Sequence, residues 1–167
     1  ENKIGYKNLI KLISFGYTEG FHYVPRIDKE LLSEYHEGLI ALTGCIKGRV
    51  ASLIGENKYN EAKEHLQQLA EIIGKDNIYL ELSLHGIDEE AAIMPRMMDL
   101  SKETGIPAVA TNDCHYIRQE DARAHEVLLA VQTNKTLNDE NRLKFTTNEF
   151  YFKSPQQMRN LFKDYPA

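Results

Sequence analysis

Three short apolar runs, separated by helix-length amphipathic stretches, constrain this 167-residue chain more than any other feature. The runs are Gly38-Leu39-Ile40-Ala41-Leu42-Thr43-Gly44, Ile78-Tyr79-Leu80-Glu81-Leu82 and Ile106-Pro107-Ala108-Val109-Ala110. Each has the length of a strand, and the first, bounded by glycines, reads as a strand buried on both faces. Strands joined by a helix-bearing stretch of a dozen or more residues run parallel, with right-handed crossovers. The order helix, strand, helix, strand, helix, strand, helix places the chain in the α/β class, with about three parallel strands alternating with helices.

The helices read as follows. Leu9, Ile10, Leu12, Ile13 and Tyr17 recur with helical spacing over residues 5–17. Asp28 reads as the N-cap of a short helix, and residues 47–54 as another. Residues 59–73 form the clearest helix, with Gly74 where a left-handed cap belongs. Residues 88–104 form a second long helix closed by Gly105, in which Pro95 calls for a kink or a late start. Residues 119–131 are helical with Val127, Leu128 and Val131 apolar, and residues 133–148 read as a long polar loop. Ser154-Pro155 caps a terminal helix.

Composition narrows the function classes. A formal charge of -5 argues against gripping nucleic acid by bulk electrostatics, without excluding a subunit whose basic surface lies elsewhere. Two cysteines, Cys45 and Cys114, make no disulfide framework and fit a reducing cytoplasm. No apolar run approaches the roughly 20 residues of a membrane span. The chain opens on Glu1 and enters a helical pattern at once, so it is expected to be a piece of a longer protein. Three parallel strands leave two free edges, which implies self-association or completion by further strands.

Chemistry concentrates at the strand ends, where parallel α/β folds bind ligands. The first strand ends at Thr43-Gly44-Cys45, the second carries Glu81 and runs on to His85-Gly86, and the third ends at Asp113-Cys114-His115. Asp113 and His115 are two residues apart, one side-chain period of an extended chain, so both can point the same way and reach one metal ion. Thiolate, imidazole and carboxylate suit zinc, and imidazole with carboxylate also suits manganese or iron. Plain structural readings stand beside these: Asp113 as a turn cap, Cys45 as a small buried hydrophobe, His85 as a loop residue, Glu81 paired with a cation. His22, His36, His65 and His125 read as structural. Glu89 and Glu90 lie in the first turn of a helix, where the dipole accounts for them.

Gly5-Tyr6-Lys7-Asn8-Leu9, Glu37 through Cys45, Tyr79-Leu80-Glu81-Leu82 and Pro107 through Tyr116 together resemble the polymerase and histidinol phosphatase (PHP) domain of bacterial DNA polymerase III alpha subunits. The stretches Ala124 through Leu129 and Glu149 through Pro155 resemble the same family just beyond that domain. The resemblance implies a partial distorted (β/α)7 PHP barrel, with residues 1–118 as its C-terminal half and residues 119–167 as its end and a connector toward the palm. It implies metal ligands at Asp113, His115, His85, Cys45 and Glu81. It also implies divalent metal, zinc first, with magnesium at a polymerase site outside this stretch. Metal-binding members of the family are credited with 3′–5′ exonuclease activity; others use the domain as a scaffold that docks a separate exonuclease. DNA, deoxynucleotides, the sliding clamp and an exonuclease subunit are implied as partners of the parent protein, and inactivity for this stretch alone.

Overall fold

The computed structural model describes residues 1–165. A parallel sheet, ordered β1-β2-β3, is built from β1 (Ala41–Leu42), β2 (Ile78–Ser83) and β3 (Ala108–Thr111). The central strand β2 buries Ile78, Leu80 and Leu82 on alternate positions. Ala41 pairs with Ile78 on one side of it, and Leu80 through Ser83 pair with Ala108 through Thr111 on the other. The carboxyl ends of all three strands therefore share one edge of the sheet.

Helices α3 (Arg49–Gly55), α4 (Tyr59–Ile73) and α5 (Asp88–Thr104) pack on one another, and α4 and α5 also pack on β2. Their buried stripes follow the helical period: Ala62, Leu66 and Ile73 on α4, and Met94, Met97 and Leu100 on α5. Together with Leu53, Leu80 and Ile106 these side chains form the main core. α5 starts at Asp88 and continues through Pro95, so the proline does not delay the start. Pro95 lies on an exposed position, and Ala91, whose carbonyl loses its helical donor there, is exposed as well.

α1 (Lys3–Thr18) is capped by Asn2, whose side chain accepts the Ile4 and Gly5 N–H groups. It packs through Gly5, Leu12 and Gly16. A Cβ at Gly5 would stand 1.9 Å from the Gly38 carbonyl oxygen, so only glycine permits this approach. Between α1 and β1 runs an open apolar groove of 840 Å³, lined by Leu9, Ile13, Tyr17, Ile40 and Leu42 among others. α2 (Lys29–Glu34) is capped by Asp28 as its sequence predicts, and α7 (Pro155–Leu161) opens with a reciprocal Ser154–Gln157 capping box.

Two expectations are corrected. β1 is an edge strand of two residues, not one buried on both faces: Ile40 and Leu42 are exposed, because its outer edge and one face have no partner among the described residues. Gly74 ends α4 with φ +93° and ψ 135°, outside the left-handed helical region, and leads straight into a 3-10 turn at Lys75–Asn77. On α6 (Ala122–Gln132), which follows a 3-10 turn, Val127, Leu128 and Val131 face outward and Ala130 is the buried residue. No helix of the described residues is long and apolar enough to cross a membrane.

Two predictions follow from this packing. Gly5→Ala should lower stability by about 1–3 kcal/mol on denaturant titration, whereas Gly55→Ala, whose nearest atom would lie 4.0 Å away, should be neutral or stabilising. Burial pushes the His65 imidazole below its ordinary value, and the Lys29 and Arg49 charges push the same way. The unfolded chain then binds this proton more readily. His65 therefore supports stability fully above about pH 6.5 and loses that contribution as pH falls through its lowered folded-state value. Denaturation midpoints of His65→Gln should accordingly fall less steeply below about pH 6.5 than those of the unsubstituted chain.

Candidate metal centre

Beyond β3 the chain turns through residues 112–116, pinned from outside by residues 150–152. The Asn112 side-chain amide donates to the Tyr151 carbonyl at 2.9 Å, and the His115 N–H donates to the Phe150 carbonyl at 2.8 Å. Tyr116 and Tyr151 form a parallel bridge, closed by the Phe152 N–H on the Tyr116 carbonyl at 3.1 Å. This frame fixes the turn while leaving Asp113 and His115 exposed.

Asp113 and His115 do point the same way: Asp113 Oδ2 lies 3.3 Å from His115 Nε2. Neither side chain has another hydrogen-bond partner among the described residues. The His115 ring packs edge-on against Phe145 and Phe150, with centroids at 4.7 and 5.6 Å, and lies 5.5 Å from the His125 ring. Burial lowers the His125 pKa, and the neighbouring His115 adds to the effect. Burial also raises the Tyr116 pKa, with Glu149 adding to the rise and a hydrogen bond from Phe150 opposing it.

His85 sits behind this pair and is 1% exposed. Its Nδ1 lies 2.9 Å from Glu90 Oε1, its main-chain N–H donates to Glu90 Oε2 at 2.6 Å, and its Nε2 accepts the Asp113 main-chain N–H at 3.3 Å. Its ring stacks on Phe150 at 4.4 Å and 4°, and its carbonyl accepts the Thr147 hydroxyl at 2.6 Å. Glu90, buried and assigned from sequence to the helix dipole alone, is the residue that reading missed. The signal was present: Glu90, Met94 and Met97 fall on one helical stripe, so the carboxylate faces inward with the methionines.

Glu81 is held by its neighbours on the sheet. Its carboxylate accepts the Thr111 hydroxyl at 2.7 Å, and its main-chain N–H donates to the Thr43 hydroxyl at 3.0 Å. Cys45 is partly buried and lines a small cavity with Glu81, Ser83 and Glu90. The structure thus joins Asp113 with His115 and sets His85 against the Asp113 main chain. Among the described residues, no three His, Cys, Asp or Glu side chains converge as a group that could hold one ion. The Asp113–His115 pair fits one corner of a divalent-metal site, by donor chemistry and by the absence of competing partners, but not a complete coordination shell.

The parallel α/β sheet agrees with the family comparison. A model of the PHP domain matches residues 1–85, and the chain belongs to the PHP domain family. Its relatives narrow the likeness. It is 45% identical over 166 residues to the DNA polymerase III subunit alpha of Treponema pallidum, covering 99% of this chain and 14% of that protein. It is 46% identical over 155 residues to that of Deinococcus radiodurans, covering 93% and 12%. For the Thermus aquaticus subunit the identity is 42% over 160 residues, covering 96% and 13%. The chain thus spans about one seventh of the length of the curated relatives it matches. Three parallel strands alternating with helices are consistent with part of a PHP barrel.

Phe150 is the common wall of this region, touching the His85, His115 and Phe145 rings. Phe150→Ala should cost about 3–5 kcal/mol on chemical denaturation. Phe152→Ala, two residues on and 70% exposed, should shift stability by no more than about 0.5 kcal/mol.

Proposed function

We propose that this chain is the corresponding part of a bacterial replicative DNA polymerase III alpha subunit, with the C-terminal half of its PHP domain in residues 1–118 and the end of that domain and a connector toward the palm in residues 119–167. The PHP portion contributes to a divalent-metal site that hydrolyses phosphodiester bonds, as a 3′–5′ exonuclease. The observation that carries the reading is the Asp113–His115 pair, two metal-capable side chains 3.3 Å apart, exposed at the carboxyl edge of the sheet. Similarity over nearly the whole of this chain to a part of three alpha subunits supports the parentage.

In this reading Asp113 and His115 are ligands, and donors from elsewhere in the longer protein complete the shell, with Cys45 as a further candidate. Zinc suits a carboxylate and an imidazole, and manganese or iron are alternatives. Bound metal would supply a hydroxide at neutral pH and neutralise charge on the scissile phosphate. The chain's own part is positional. The 150–152 stretch holds the turn, the Asp113 carboxylate supplies an acceptor-only ligand, and His115 presents Nε2 on the same side. The parent protein would act on DNA and deoxynucleotides with magnesium at a separate polymerase site, alongside a sliding clamp.

The second reading is a scaffold that stabilises the polymerase and docks a separate exonuclease. The engagement of Glu81 by Thr111 and of both His85 ring nitrogens by protein groups favours it, since these candidate ligands already have partners. Metal analysis of the full-length subunit separates the two. The first reading expects bound divalent metal, and a loss of 3′-end trimming of about 100-fold or more in Asp113→Ala, at least the upper end of what loss of a ligand's supporting partner causes. A metal-free wild-type subunit, with trimming unchanged in Asp113→Ala, would leave the scaffold reading.

A further inference from the structure

We infer that Glu90 and His85 form a buried positioning unit that sets the Asp113–His115 turn, and that His85 acts there as a strut, not as a metal ligand. The placement of one hydrogen fixes the unit. Glu90 as a carboxylate can only accept, and it lies 2.9 Å from His85 Nδ1, so Nδ1 must carry the hydrogen. A neutral imidazole then has its single free lone pair on Nε2, and this lone pair accepts the Asp113 main-chain N–H. The opposite tautomer would set an Nε2–H against the Asp113 N–H and a bare Nδ1 against a carboxylate. Glu90 therefore determines which nitrogen can hold the turn.

The unit is complete on every side. The second Glu90 oxygen accepts the His85 main-chain N–H, the Thr147 hydroxyl donates to the His85 carbonyl, and Phe150 covers one face of the ring. With both ring nitrogens engaged, His85 has no donor atom to offer an ion without releasing Asp113. What it offers instead is placement. It fixes the Asp113 main chain from the inside, while the Asp113 carboxylate and the His115 ring stay free on the outside. A carboxylate commonly fixes the tautomer of a metal-ligating histidine; here the far nitrogen holds a backbone N–H instead of a metal. The hydrogen-bonded relay stands by itself; its consequence for metal binding rests on the reading that Asp113 and His115 are ligands.

The test uses the full-length subunit, with hydrogen–deuterium exchange read by mass spectrometry and metal content measured in parallel. Glu90→Gln replaces one of the two accepting oxygens with an NH2 group, which can only donate and cannot answer the His85 N–H that it faces. It should raise exchange of the 112–116 amides about fivefold to tenfold, the effect of losing one hydrogen bond, with the β2 amides unchanged. His85→Ala should raise exchange in the same segment, and His85→Gln, whose side-chain oxygen can accept the Asp113 N–H, should restore most of the protection. His85→Gln should also lower metal content less than Asp113→Ala does. Unchanged exchange in both Glu90→Gln and His85→Ala overturns the relay. Metal loss in His85→Gln as complete as in Asp113→Ala makes His85 a ligand and overturns the strut. If Glu90→Gln exchanges everywhere, the two His85 variants decide. A metal-free wild-type subunit removes the metal reading alone, since the exchange measurements still judge the relay.

Discussion

A buried imidazole needs every polar atom answered, and the way His85 is answered organises the functional end of this molecule. An unpaired buried polar group costs a few kcal/mol, and an unpaired charge far more. His85 avoids this by drawing one partner from each surrounding segment: Glu90 from the first turn of α5, the Asp113 N–H from the turn after β3, and Thr147 from the irregular stretch before Phe150. The Glu90 carboxylate is satisfied in the same way, by two N–H groups of one residue. Segments remote in sequence are thereby tied at one point, 5, 28 and 62 residues from His85. The last of them lies in a region without regular secondary structure, where side-chain anchors replace a sheet or helix ladder.

The same junction divides inside from outside. Asp113 turns its main chain toward His85 and its carboxylate toward solvent, and His115, one period on, follows it. Apolar rings from Phe145 and Phe150 back the imidazole of His115, leaving Nε2 toward Asp113. The pair is therefore held by its backbone and by ring packing, and among the described residues its ligand atoms have only each other as partners. At the other side of the sheet the balance is reversed. β1 is short, its outer edge has no strand partner among the described residues, and the groove beside α1 is apolar.

Much of the architecture was legible because its causes are local. The period of α4 and α5, the Asp28 cap, the Ser154-Pro155 start and the apolar runs of β2 and β3 are written in adjacent residues. The pairing of Asp113 with His115 was legible for the same reason, since it needs only the two-residue period. The extent of β1 was not, because whether an apolar run is covered depends on what packs over it. Glu90 was hidden by a competing explanation: a carboxylate in a first helical turn is already accounted for by the dipole, and only its phase with Met94 and Met97 shows that it faces inward. His85 could be recognised as chemically important, but its role depends on contacts between segments that no spacing rule encodes.

The most direct test of the central claim is anomalous scattering from crystals of the full-length subunit grown with zinc. The expected result is a peak about 2.0–2.2 Å from an Asp113 carboxylate oxygen and from His115 Nε2, with His85 Nε2 still holding the Asp113 N–H. A peak coordinated by His85 Nε2, or metal bound elsewhere with Asp113 and His115 turned away from it, would contradict it.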